Sequence, residues 1–404
     1  MNDFNSDERL TSSLATIDGT EAIGAIELVP SLESLAGDWN RLAGASPFLS
    51  YEWLSAWWRH YGDEQDLFTV AVRNSNGELV AIAPWRLEHS PTQGREIRFL
   101  GDGVVCSDYL SLLCRADYAV SAPAALAEWL SGPAAPLWDA IEWSGVATDD
   151  PIMRRLTAAL TDAGHTQSTE ADAQCWRVAL PADWDTFLAG LSASRRQKTR
   201  ALLRQNLDNQ RMDLRRVTNR EELARAFEWL VDLHTRRRRS LGQDGCFASA
   251  QFTDFLREAA ERLLIANRLR MFWLEFDSRP IAVELGLIAD DAVYYYQGGF
   301  DPAAAEARPG WLAFAGSLRA AIGEGYRVYD FLRGDELYKA SWGARPRQLV
   351  TVRIAGQNVL AQLRHAAWRT QLTIKRLVRA WKPVALPVVD RLTTPFPNVV
   401  TSGH

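Results

Sequence analysis

The stretch Tyr329-Asp-Phe-Leu-Arg-Gly-Asp-Glu-Leu-Tyr-Lys-Ala-Ser-Trp342 runs a short apolar strand into a cluster of charged and aromatic residues. Strand alternation puts Val328, Asp330 and Leu332 on one face, with Tyr329 and Phe331 on the other. A carboxylate inside such a strand is costly to bury unless it is paired or employed in chemistry, which makes Asp330 a candidate functional residue. Arg333, Asp335, Tyr338 and Lys339 follow at once, bringing cations, an acid and a phenol to one strand end. A solvated strand exit with local charge pairing would use the same residues, so the flanking sequence has to decide.

Upstream, Gly323-Glu-Gly325 closes a helix read over Trp311–Ile322, as glycine does just past a helix end. A strand Ala292–Gly298 leads into that helix through the loop Phe300–Arg308. Strands Arg270–Phe276 and Ile281–Ala289 precede it, joined at Asp277-Ser-Arg-Pro280, with helices read over Arg195–Gln210, Arg220–Arg237 and Ala250–Ala266. The first half shows the same order. Leu67–Arg73 and Leu79–Glu88 flank the hairpin signal Asn74-Ser-Asn-Gly77, followed by a strand Ile97–Leu100, a helix Ala122–Leu130 and a strand Asp139–Trp143. A tryptophan-rich helix is expected over Leu32–Tyr61, with Trp53 and Trp57 on one core face. The fold class is α/β (α+β), with two tandem related modules, each a mixed, mostly antiparallel sheet flanked by helices. The divisions are a leader 1–22, modules 23–180 and 181–355, and a tail 356–404 carrying a basic amphipathic helix Val359–Trp381.

The chain of 404 residues, 47% hydrophobic and 24% charged, has the composition of a soluble globular protein with room for two cores. A net charge of -5 gives no general attraction to nucleic acid. The charge is uneven: Ser192–Arg239 holds 14 Arg/Lys against 6 Asp/Glu, and Gln357–Pro383 holds six Arg/Lys and no acid. Four dispersed cysteines and six histidines without ligand spacing argue against a disulfide framework and against a metal site. A polar, acidic N-terminus and the lack of a membrane-length apolar run lead to the expectation of a cytoplasmic chain. The tail helix can either pack on the protein or meet an anionic membrane peripherally.

The second module resembles the GNAT acyltransferases, and among them the CelD/BcsL-type acetyltransferases, relatives of the FemAB aminoacyl ligases. The resemblance is carried by Leu191–Arg204, Leu233-His-Thr-Arg-Arg237 with Gly245-Cys-Phe247, Pro280-Ile-Ala282, Gly299-Phe-Asp-Pro302, Arg308-Pro-Gly310 and Tyr329–Lys339. It implies acetyl-CoA or another acyl-CoA as co-substrate, no metal, and transfer to an amine or hydroxyl of a sugar, a polysaccharide precursor or another small polar acceptor. The widespread pyrophosphate signature Gln/Arg-x-x-Gly-x-Gly/Ala is absent. An aminoacyl-tRNA-dependent ligase and a non-catalytic assembly factor stand as alternatives.

The residues themselves support a thioester site. Pro309-Gly310 opens a helix whose free N–H groups and dipole suit a pyrophosphate, and Arg308 adds a charge there. Gln297, Gly298, Gly299, Arg308, Pro309, Gly310 and Trp311 are therefore candidates to bind the donor, the backbone near Gln297–Gly299 offering oxyanion donors. Glu284 is the leading base, mid-strand between the small neighbours Ala282 and Gly286, with ion pairing to an arginine as the structural alternative. Asp330 is the second candidate, either orienting the acceptor amine or acting as base itself, and Tyr338 a donor to the departing thiolate. Lys339 is a candidate to bind an anionic acceptor or a phosphate. At least one of Tyr294, Tyr295 and Tyr296, which alternate across a strand, should face the site, with cross-strand packing as the alternative for each. Arg195, Arg333 and Asp335 are candidates for the acceptor, although the helix bearing Arg195, Arg196, Lys198, Arg200 and Arg204 also reads as a solvated surface. That helix has no aromatics for base stacking, which disfavours RNA. His234 reads as a packed or capping residue, with a general-base role as the alternative, and Cys246 is discounted as a nucleophile because no histidine is near it in sequence and direct transfer needs no acyl-enzyme.

Overall fold

The computed structural model describes residues 22–44, 46–334 and 336–381. By packing these form two compact units, residues 22–173 with 348–381, and residues 174–347. The first unit thus includes residues 348–355 of a late strand, which sequence placed in the second module, and the helix Val359–Trp381, which it placed in a separate tail.

In the first unit, Ile23–Leu28, Val70–Asn74, Leu79–Ala83 and Leu113–Cys114 make an antiparallel sheet in that order. A second set pairs Trp85–Ser90 antiparallel with Gly94–Phe99, which runs parallel to Ala140–Ala147 after the helix Ser121–Ser131. The single strand expected over Leu79–Glu88 is therefore two strands in two sheets. Pro84 separates them, because it has no N–H to give a ladder. The helix expected over Leu32–Tyr61 is likewise broken. Gly44 turns at φ +51°, Pro47 starts a new turn, and Ser50 caps Tyr51–Tyr61 by accepting from Trp53 N–H at 3.4 Å. Trp53 and Trp57 are core, as their spacing implied.

In the second unit, strands β1 (Thr166–Ala179, of which 174–179 belong to this unit), β2 (Asp213–Arg216), β3 (Leu269–Phe276), β4 (Arg279–Ala289), β5 (Ala292–Phe300) and β6 (Val328–Arg333) are ordered β2-β3-β4-β5-β6-β1. The helices that position the site are α1 (Ala193–Leu203), α2 (Arg220–Arg239), α3 (Ala250–Ile265), α4 (Pro309–Gly323) and the short α5 (Leu337–Ser341). Neighbouring strands are antiparallel except β5 and β6, which the crossover helix α4 makes parallel. Asn219 and Ser249 cap α2 and α3, and four arginines in the last turn of α2 suit its dipole. Phe314 of α4 fastens the helix to the sheet, its ring 5.4 Å from Tyr329, 5.1 Å from Phe331 and 4.9 Å from Trp342. Such contacts contribute about 1 kcal/mol each beyond burial.

The parallel pair is short. It ends at Tyr294 opposite Asp330, and beyond that point β5 and β6 part. Two irregularities mark the divergence. The β4–β5 register slips between Leu285 and Gly286, so β5 carries an extra residue near Tyr296. In β6, Leu332 sits at φ +56°, a strained conformation for leucine, held by its N–H donating to Asp330 Oδ1 at 2.8 Å.

Candidate active site

Where β5 and β6 part, a cavity of about 230 Å³ opens beside the first turns of α4. Glycines shape it. Gly299 lets α2 pass close over β5, since a β-carbon there would lie 2.4 Å from His234 N. With no β6 residue opposite, the Gly298 carbonyl is met instead by His234 Nδ1 at 3.1 Å.

Glu284 projects into this cavity from β4, directly across from Gly298 on β5. It is 6% exposed, and its Oε2 has no hydrogen-bond partner among the described residues. Burial pushes its carboxyl up to about 8, against the opposing pull of the Ser317 hydroxyl and the Arg270 guanidinium. The arginine pairing considered from sequence does not reach Glu284: Arg270 instead bonds Glu324 at 2.6 Å and the Ser317 carbonyl at 3.0 Å. Of the three consecutive tyrosines, Tyr295 is the one that lines the cavity, joined by Tyr338 from α5. Burial holds both phenols above their ordinary range, so both stay protonated and able to donate near neutrality.

His234 lines the same cavity from α2. A carbonyl only accepts, so the bond to Gly298 fixes the proton on Nδ1 and leaves Nε2 as an acceptor. Burial lowers the imidazole to about 4 despite that bond, which keeps it neutral. Cys246 Sγ lies 3.6 Å from Nε2. The sequence argument against a histidine near Cys246 is thereby overturned, because the turn after α2 folds back through Gly245, at φ +78°, and closes a gap of twelve positions.

A second cavity lies against another side of the α4 N-terminus and includes Arg195 and Lys198 of α1, Arg308 and Trp311. The Arg195 guanidinium stands 4.7 Å and the Lys198 ammonium 4.6 Å from the centre of the Trp311 ring. Lys198 is lowered by burial and by the nearby charges of Arg308 and Arg195. Neither Lys198 nor Arg308 has an ion-pair partner among the described residues. Two cations crowd one indole and the charge of Arg308 acts on Lys198 beside them, an arrangement an anion would relieve. The other cations of α1 are occupied differently, Arg200 on Asp185 at 2.9 Å and Arg196 on the Ala189 carbonyl at 3.2 Å.

The remaining candidates are dispersed. Asp330 is 1% exposed on the strand face opposite Tyr329 and stabilises the Leu332 irregularity, away from Glu284. Lys339 is buried, its ammonium facing the carbonyls of Leu332, Arg333 and Gly334 at 3.2, 2.8 and 3.2 Å and Glu336 at 2.9 Å. Its three protons are spent on the loop, leaving none for a phosphate or an anionic acceptor. Arg333 ends β6, with its carbonyl held by Lys339. Pro309 is buried in the first turn of α4, and Gln297 pairs with Leu285 without lining either cavity. Asp335 lies outside the described residues. His234 and Tyr295 both line the cavity, although sequence read His234 chiefly as a packed or capping residue and could not separate Tyr295 from Tyr294 and Tyr296.

In this mixed sheet the one parallel pair splays beside a buried carboxylate and the N-terminus of α4. Residues 193–340 match the family described as Acetyltransferase (GNAT) domain. The second unit is thus a GNAT-type acyltransferase domain. No curated protein matches the sequence significantly. Among solved structures the chain is similar to FemX, with 12% identity, a TM-score of 0.56, and 80% of this chain and 96% of that one covered. It is also similar to a C-terminal DUF2156 domain described as that of a lysylphosphatidylglycerol synthetase from Agrobacterium fabrum, with 10% identity, a TM-score of 0.50, and coverage of 85% and 97%. A conserved protein of unknown function from Bacteroides thetaiotaomicron gives 13%, 0.50, and 82% and 99%. At these identities the likeness is one of fold. No helix among the described residues is long and apolar enough to cross a membrane, and none of their side chains form a group of metal ligands.

Proposed function

We propose that the second unit transfers an acyl group from acyl-CoA, most simply acetyl-CoA, to an amine or hydroxyl of a sugar, a polysaccharide precursor or another small polar acceptor. The observation that carries this reading is Glu284, a buried carboxylate with an orphaned oxygen, facing a glycine-lined cavity at the splay of β5 and β6. The residues present fit such a donor. Gly298, Gly299 and Gly310 add no side chains of their own to the slot beside Glu284, and the Arg308–Lys198–Arg195 cluster at the α4 N-terminus suits its phosphates.

An acyl-CoA supplies an activated carbonyl to this slot. Glu284, poised near 8, takes the proton from the attacking nitrogen or oxygen as the new bond forms. Tyr338 or Tyr295 gives a proton to the departing sulfur, a role their protonated state permits. The family resemblance to CelD/BcsL-type enzymes supports a saccharide acceptor.

Calorimetric titration with acetyl-CoA, with bulk tRNA as comparator, tests the reading. Micromolar heat with acetyl-CoA and none with tRNA is expected. Silence with acetyl-CoA overturns it: salt-sensitive tRNA binding would then indicate a ligase, and silence with both an assembly role.

A further inference from the structure

The helix Val359–Trp381 carries two apolar stripes, and only one is used. The inner stripe is tied to the first unit. Ala361 and His365 are buried, His365 Nε2 lies 3.1 Å from the Ser168 hydroxyl, and Trp368 stacks on His365 at 5.6 Å beneath the Arg353 guanidinium at 4.9 Å. The Gln362 amide adds a bond to the Gly356 carbonyl at 2.8 Å. These contacts fix the helix and its rotation, so the other face is presented to the outside.

That outer face holds Val359 (77% exposed), Leu360 (55%), Leu363 (62%) and Ile374 (54%). They make up half of the large apolar side chains exposed anywhere among the described residues, gathered on one helix. Scattered exposed apolar residues need no explanation, whereas a contiguous stripe marks a contact surface. Val359, Leu363, Ala367 and Ile374 recur at helical spacing along it, with Thr370 between the last two, its hydroxyl turned to the Ala366 carbonyl. Arg369 is exposed on the same helix, whereas Arg364 reaches back to Asp139 at 3.6 Å.

Charge selects the occupant. The segment 357–383 has six Arg/Lys and no acid, in a chain whose net charge is -5. A second copy of the chain seated on this stripe would bring two such cationic segments face to face. A surface both apolar and negative fits instead. We infer that the outer stripe of the Val359–Trp381 helix lies on an anionic lipid surface, with its apolar side chains in the headgroup boundary and its cations among the phosphates. The helix is too polar to span a bilayer, so contact is peripheral. The inference stands apart from the acyl-transfer reading, since it involves neither cavity.

Vesicle co-sedimentation of the full chain tests it, with phosphatidylcholine vesicles against mixed phosphatidylcholine–phosphatidylglycerol vesicles. Binding to the mixed vesicles, weakened by salt, is expected. The double variant Leu363→Glu/Ile374→Glu should lose roughly tenfold or more in partitioning. Both residues are exposed, so its melting temperature should be unchanged, and Leu363→Ser serves as a milder second variant. Equal binding to neutral vesicles, no binding to either, or undiminished binding by the variants would overturn the inference. A dimer on gel filtration that the double variant abolishes, without vesicle binding, would assign the stripe to self-association instead.

Discussion

A β-carbon on Gly298 would stand 2.1 Å from the Tyr295 hydroxyl, so the phenol occupies space that only glycine leaves open. Gly298→Ala must therefore push the Tyr295 ring into the cavity or distort β5. A stability loss of about 1–3 kcal/mol is expected by chemical denaturation, together with weaker donor binding. The next atom, Tyr295 Cζ, would be 3.1 Å away, so adding Tyr295→Phe should recover most of the stability. An additive double variant would show that the two residues do not meet in this way.

Glu284→Gln keeps the shape of the site and removes the proton acceptor. Turnover should fall by roughly 10²–10⁴ with donor affinity intact. In the wild type, activity should rise with pH up to about 8 and then level, because the base is the deprotonated form. The variant's residual activity should lack that limb, and unchanged turnover would remove Glu284 from the mechanism.

The same carboxyl links pH to stability. Its folded value, about 8, is above the ordinary glutamate value of 4.5, so the folded chain holds a proton the unfolded chain releases. Its favourable contribution is complete below 4.5 and is lost as pH rises through about 8. The full swing is on the order of 5 kcal/mol. Between pH 5 and 9 the wild-type melting temperature should fall more steeply than that of Glu284→Gln, and parallel curves would contradict the burial argument.

Lys198→Ala and Arg308→Ala each take one charge from the cluster around Trp311. Each should weaken acetyl-CoA binding by roughly tenfold or more and lower its salt dependence. Equal affinity in both variants, measured calorimetrically, would place the donor's phosphates elsewhere.

Lys339→Met leaves the carbonyls of Leu332, Arg333 and Gly334 without their shared donor. Unfolding free energy should drop by about 2–4 kcal/mol in urea titration. A variant as stable as wild type that has lost only acceptor binding would return Lys339 to a ligand role.

The alternating pattern of Ile281–Ile288 and the Pro309-Gly310 start were enough, by themselves, to place Glu284 mid-strand and α4 after β5. The helix Val359–Trp381 was legible for the same reason: periodicity and caps are local. What sequence misjudged was also local but depended on single residues, as when Pro84 divided one apolar run between two sheets. The site itself is non-local. Parting of β5 from β6 selects Tyr295 over its two neighbours, and the turn through Gly245 brings Cys246 to His234. Asp330 and Lys339 have the right chemistry in sequence, yet backbone groups within ten residues absorb their hydrogen bonds. Residue type and period determined which strands and helices could form. Only tertiary packing decided which polar groups were left unsatisfied, because a buried group's partners come from whatever the fold brings beside it.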